Sequence, residues 1–193
     1  MRTRAMLVAA VGVVVFQACI DSSRDPVATL PAADREVAAA FGVENGDPGR
    51  RIFLRDQCDP LDPTWAGGCR LPKGNVTVAE FQAAFAEHGG HPLWRFSPIS
   101  ATVESGETLE IVNVGGRVHT FTRVAAFGGG AVLNLNKPGQ TTVPECKVPP
   151  PLVRVLPQGT LPITFTGSGE QLFMCCFHPW MQSTIQVREK SGS

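Results

Sequence analysis

Between residues 77 and 90 the apolar and polar positions repeat with a helical period. In TVAEFQAAFAEHGG, Phe81, Ala84, Phe85 and His88 fall at i, i+3, i+4 and i+7. Thr77 and Glu80 stand at the S/T-x-x-E spacing of a capping box, and Gly89 and Gly90 mark the stop. The spacing predicts one short amphipathic helix whose Phe pair packs on whatever follows. From Trp94 onward the texture changes. RFSPISATVE, TLEIVNV, VHTFTRVA, LPITFTG, EQLFMCC and STIQVRE are short runs of β-formers separated by turn residues. Alternation is cleanest at Leu161, Ile163, Phe165 and at Ile185, Val187, and no long helical period follows residue 92. The pattern predicts an all-β antiparallel sandwich of about seven strands over residues 93–189. Phe127 to Pro157, rich in Gly and Pro, reads as an extended connection crossing one end of that sandwich.

Upstream, the pattern is weaker. Residues 20–92 read as a linker that carries a turn-rich segment, CDPLDPTWAGGC, and the helix, with DREVAAAF as a further short helical stretch. The ends of the turn-rich segment, Cys58 and Cys69, are placed to close a disulfide loop. Closing about a dozen residues in this way adds roughly 3 kcal/mol in the chain-entropy description. Residues 1–19 have Arg2 and Arg4 ahead of an apolar run from Ala5 to Phe16, the layout of an export signal and too short to span a bilayer. FQAC at Phe16 to Cys19 resembles a bacterial lipobox, although Phe16 stands where Leu is usual. Acylated Cys19 would tether the domain to a membrane through the polar DSSRDP segment; ordinary cleavage nearby is the alternative. The expected location is the periplasm or an outward-facing membrane surface.

Composition narrows the function. The 17 basic and 17 acidic residues balance, so no charge excess points to nucleic acid or an anionic surface, and membrane contact is expected only through a lipid at Cys19. Export implies an oxidising compartment in which spare thiols pair, so the six cysteines, Cys19, Cys58, Cys69, Cys146, Cys175 and Cys176, become informative. With four histidines and no Ser/His/Asp or paired-carboxylate signature, no enzyme is expected. His88 and His91 have no cysteine at ligand spacing; both read as structural, His88 as a last-turn cation. Trp180 reads as a lid on the core or as a contact for partners.

One constellation carries chemistry. In FMCCFHPWM, Cys175, His178 and Met181 follow a strand in the order C-x2-H-x2-M, and His119 lies on an earlier strand. A thiolate, two imidazoles and a thioether suit copper. The soft sulfurs favour Cu(I), the imidazoles tolerate Cu(II), and a His2Cys set with a distant axial Met is the blue-copper arrangement. Zinc is chemically possible with Cys and His, but the thioether argues against it.

GRVHTFT together with FMCCFHPWMQSTIQV resembles the cupredoxins, the small blue-copper electron-transfer proteins, and the C-x2-H-P-x-M loop is closest to the amicyanin type. The resemblance covers residues 93–189. It implies a Greek-key β-sandwich with one mononuclear copper at one end, held by His119, Cys175, His178 and Met181, with His178 as the exposed edge through which electrons pass. It departs from the family at Thr120, where Asn is common, and in the length of the connection.

Successive residues of a strand face opposite ways, so Cys175 and Cys176 do not both reach one ion. Cys175 has the x2 spacing to His178 and is the expected thiolate ligand; Cys176 then points elsewhere, with Cys146 its obvious partner. The expected disulfides are Cys58–Cys69 and Cys146–Cys176, one of three connectivities open to four cysteines. The spacing fits neither a binuclear copper site, which needs two cysteines three residues apart, nor a multicopper oxidase, which needs several His-x-His pairs. The expected function is that of a monomeric electron carrier serving redox partner proteins, with copper delivery or a metal-free scaffold as alternatives.

Overall fold

Strand alternation along the chain resolves into two facing sheets in the computed structural model, which describes residues 50–147 and 153–190. The strands are β1 (Arg51–Arg55), β2 (Arg95–Ser97), β3 (Ser100–Glu104), β4 (Thr108–Asn113), β5 (His119–Thr120), β6 (Thr122–Val124), β7 (Arg154–Val155), β8 (Thr160–Thr164), β9 (Gly169–Met174) and β10 (Gln182–Arg188); helix α1 spans Val78–His88. One sheet has the order β2-β1-β4-β8, the other β3-β10-β9-β6, and β5 pairs with β7 as a small ribbon. The leader, Cys19 and the DREVAAAF segment lie outside the described residues.

The core is built by period-two burial. Leu109 and Ile111 of β4 and Ile185 and Val187 of β10 turn inward, while their neighbours Glu110 and Gln186 are exposed. Phe121 stacks on Phe173 with ring centroids 4.5 Å apart, and Phe165 meets Phe173 edge-on at 5.6 Å. Each such buried side chain contributes about 1.5–3 kcal/mol relative to exposure.

Helix α1 forms where its period and caps place it. Thr77 accepts from the Glu80 N–H, Glu80 reaches back to the Thr77 N–H, and Gly89 ends the helix at φ 68°. Its Phe81 and Phe85 rings pack on Trp180 at 5.9 and 5.5 Å, so the helix backs the segment that carries His178 and Met181. Gly90 presses so closely on Trp180 that a Cβ there would come within 2.6 Å of the indole.

Three features differ from the sequence reading. The boundary at residue 93 falls inside the sandwich: Arg51–Arg55, assigned to the linker, is a buried strand between β2 and β4. Covered on both faces, it shows a continuous Ile52-Phe53-Leu54 run rather than alternation, too short to register as a period. The sheets are mixed rather than antiparallel, because β1 runs parallel to β4 and β3 parallel to β10. The long connection also contains β7, which pairs with the His119 strand.

Candidate metal centre

The segment after β9 is folded by its own backbone. His178 N–H donates to the Cys175 carbonyl at 3.2 Å, Met181 N–H to the His178 carbonyl at 2.9 Å, and Cys175 N–H to the Met181 carbonyl at 3.0 Å. The first two bonds close successive four-residue turns, which the x2 spacings permit, and the third joins the ends of the segment. They gather Cys175, His178 and Met181 about one point, with Cys175 and Met181 fully buried and His178 partly exposed.

His119 comes to the same point from β5, where it is fully buried. Its Nδ1 lies 3.8 Å from the Cys175 sulfur, and Nδ1 of His178 lies 3.6 Å from it. Both separations also suit groups flanking one ion: bonds of about 2.0 Å to nitrogen and about 2.3 Å to sulfur at trigonal angles set the donor atoms roughly 3.8 Å apart. The donor atoms of His119, Cys175 and His178 all lie within 4.8 Å of one another. This donor set fits one mononuclear copper.

Electrostatics agree with that use. Burial would raise the Cys175 thiol, but hydrogen bonds and charge from His119 and His178 hold it well below its ordinary value, towards thiolate. Burial would lower His119; contacts with Asp56 and Cys175 instead raise it to about 9. In His178 burial wins over the Cys175 contact and its pKa falls. Both shifts favour an imidazolium beside a thiolate in the metal-free pocket.

The two cysteines part company as strand geometry requires. Cys176 is joined to Cys146 and Cys58 to Cys69, with Cα separations of 5.2 and 5.9 Å, and Cys175 is the free cysteine among the described residues. The first bridge pins the long connection beside the centre. Thr120 ties the two ligand segments together. Its N–H donates to the Cys175 sulfur at 3.3 Å and its hydroxyl accepts from Cys176 N–H at 2.7 Å. Trp180 contacts both the His178 ring at 5.5 Å and the helix phenylalanines, so it serves as a lid. His91 stacks on Phe81 and meets Trp94 edge-on, away from the donor cluster.

Asp56 is the residue that sequence reasoning missed. It is 1% exposed and its carboxylate sits 2.8 Å from Nε2 of His119. Burial would raise its pKa, but the His119 contact and backbone donors bring it below the ordinary carboxylate value. The signal available was RIFLRD, an apolar triplet between arginines with an acid two residues ahead of Cys58.

No protein-family model and no curated protein matches the chain. Among solved structures, a purple cupredoxin from Nitrosopumilus maritimus is 15% identical, covering 72% of this chain and 98% of its own with a TM-score of 0.38. A mutant fern plastocyanin is 18% identical over 72% of this chain and 99% of its own, TM-score 0.37. The amicyanin of Paracoccus versutus is 18% identical over 49% and 73%, TM-score 0.33. At such identities and scores the likeness carries no weight of its own. What makes this protein cupredoxin-like is its own two-sheet sandwich and the His-Cys-His cluster with Met181 at one end.

Proposed function

We propose that this protein is a blue-copper electron carrier, holding one copper through His119, Cys175, His178 and Met181. The observation that carries the reading is the placement of two imidazole Nδ1 atoms at 3.6 and 3.8 Å from one buried, deprotonation-prone thiol. When bound, copper would supply the one-electron couple. The chain's own part is to keep the donor groups in place. The four-residue turns and Thr120 fix the sulfur, β5 fixes His119, and burial excludes water, so little rearrangement would accompany a change of oxidation state.

His178 is the least buried of the donor groups and lines a cleft of about 840 Å³ with Arg70, Arg117, Leu135, Leu156 and Phe177. Electrons pass through its ring to redox proteins docked on this face, and the protein acts as a monomer without catalysing a reaction itself. We further propose export to the periplasm or an outward membrane face, with Cys19 as the lipid anchor; two disulfides fit an oxidising compartment. No helix among the described residues is long and apolar enough to cross a membrane. The mass of the mature N-terminus checks the anchor: an acylated Cys19 supports it and an unmodified terminus removes it.

The function is tested by redox titration of the copper-loaded protein in the presence of a Cu(I) chelator. A carrier loses its colour on reduction and regains it on oxidation, one electron per copper, with the metal retained. Release of the metal to the chelator on reduction would point to delivery instead, and failure to bind copper to a scaffold.

A further inference from the structure

Asp56 stands at the end of β1, beside the Cys58–Cys69 bridge, and every direction around its carboxylate is occupied. Gly116 N–H donates to Oδ1 at 2.9 Å and Cys58 N–H at 3.3 Å, while Arg117 N–H donates to Oδ2 at 2.9 Å. The remaining partner is Nε2 of His119, 2.8 Å from Oδ2, with both side chains closed to solvent. The turn that supplies the backbone donors is glycine for a steric reason. A Cβ on Gly115 would stand 2.1 Å from Oδ2, and one on Gly116 would stand 2.5 Å from the Cys58 sulfur. The cradle therefore closes on a carboxylate at this position, and the carboxylate in turn faces the nitrogen of His119 that points away from Cys175.

Resting on the copper reading above, we infer that Asp56 is a positioning residue of the metal centre that also sets its redox potential. By accepting from Nε2–H it fixes the His119 tautomer, which leaves the Nδ1 lone pair directed at the space beside the Cys175 sulfur. Its negative charge is buried, so solvent and salt screen it weakly, and it favours the more positive oxidation state of an ion held there. Asp56 thus biases the couple towards Cu(II) and lowers the potential, and the β1 segment becomes part of the centre.

The decisive comparison is between the copper-loaded full chain and its Asp56→Asn variant, with Asp62→Asn as a control that removes a carboxylate of the same disulfide loop which accepts from Thr64 and Val78 rather than from His119. The expected result for Asp56→Asn is an upward shift of midpoint potential and a loss of about 10- to 100-fold in copper affinity, with the Asp62→Asn potential unchanged. An unchanged potential in Asp56→Asn, or equal shifts in both variants, would overturn the inference. Should Asp56→Asn not fold, nitrogen-15 NMR of the native Cu(I) form decides: a slowly exchanging Nε2–H on His119 coupled to the Asp56 carboxylate supports it, and a bare or freely exchanging Nε2 removes it. A native chain that takes up no copper would sink this inference together with the function above, whereas a blue native chain with an unaltered variant potential would sink this inference alone.

Discussion

Thr120 and Cys176 are joined by a 2.7 Å hydrogen bond from the Cys176 N–H to the Thr120 hydroxyl, while the Thr120 N–H reaches back to the Cys175 sulfur at 3.3 Å. One residue of β5 therefore clamps both adjacent cysteines. The Cys176 N–H is buried, so removing its acceptor leaves a polar group unsatisfied. Thr120→Ala is expected to lose about 1–3 kcal/mol in urea unfolding of the copper-loaded protein while keeping its colour, because the backbone donor to sulfur survives.

The Cys146–Cys176 bridge closes a loop with a sequence separation of 30 and supplies no donor to the metal. Replacing both cysteines by serine should leave the visible spectrum in place and cost about 2–4 kcal/mol of stability. Loss of colour in this double variant, with the fold retained by circular dichroism, would contradict the division of labour between Cys175 and Cys176.

Phe81 is buried against Trp65, Trp94 and Trp180, and through Trp180 it supports the His178 ring. Phe81→Ala should cost about 3–5 kcal/mol. The measurement is thermal unfolding followed by tryptophan fluorescence and by visible absorption; the account predicts that both signals are lost together, at a lower temperature than in the native protein.

The metal-free protein should show a plateau in its stability against pH. His119, raised from 6.5 to about 9, contributes stability that is complete below 6.5 and lost as pH rises through about 9. Cys175, held well below its ordinary 9.0, contributes stability that is complete above 9.0 and lost as pH falls towards its folded value. Where pH lies below 9.0 and above both 6.5 and the folded Cys175 value, the folded chain carries imidazolium and thiolate, the unfolded chain neutral imidazole and thiol. Both hold the same number of protons, so the two slopes cancel. Below that window the depressed Asp56 and His178 add to acid destabilisation. Urea midpoints across the range check the plateau; a steady slope through it would show that the pair is not charged.

Much of the site was legible in the chain because its donors are set by local spacing. C-x2-H-x2-M encodes two tight turns, and a single histidine on an earlier strand completes the set. The capping box at Thr77 and Glu80 and the glycine stop at Gly89 likewise mark the two ends of α1. What escaped was non-local. β1 is a five-residue strand whose burial comes from neighbours contributed by residues 95–97 and 108–113, and its apolar triplet has no period to read. Asp56 escaped with it, since an acid next to a turn-rich loop looks solvated until the sheet brings His119 beside it, 63 positions away. The parallel pairings escaped too, because register between distant strands leaves no mark in alternation.

Whether Cys175 binds copper as a thiolate is decided by titrating the metal-free protein with Cu(II) and recording its visible and electron paramagnetic resonance spectra beside those of Cys175→Ser. The expected result is an intense thiolate-to-copper absorption that saturates at one copper per chain and is absent from the variant. A colourless Cu(II) complex of the native protein, or colour that survives in Cys175→Ser, would contradict it.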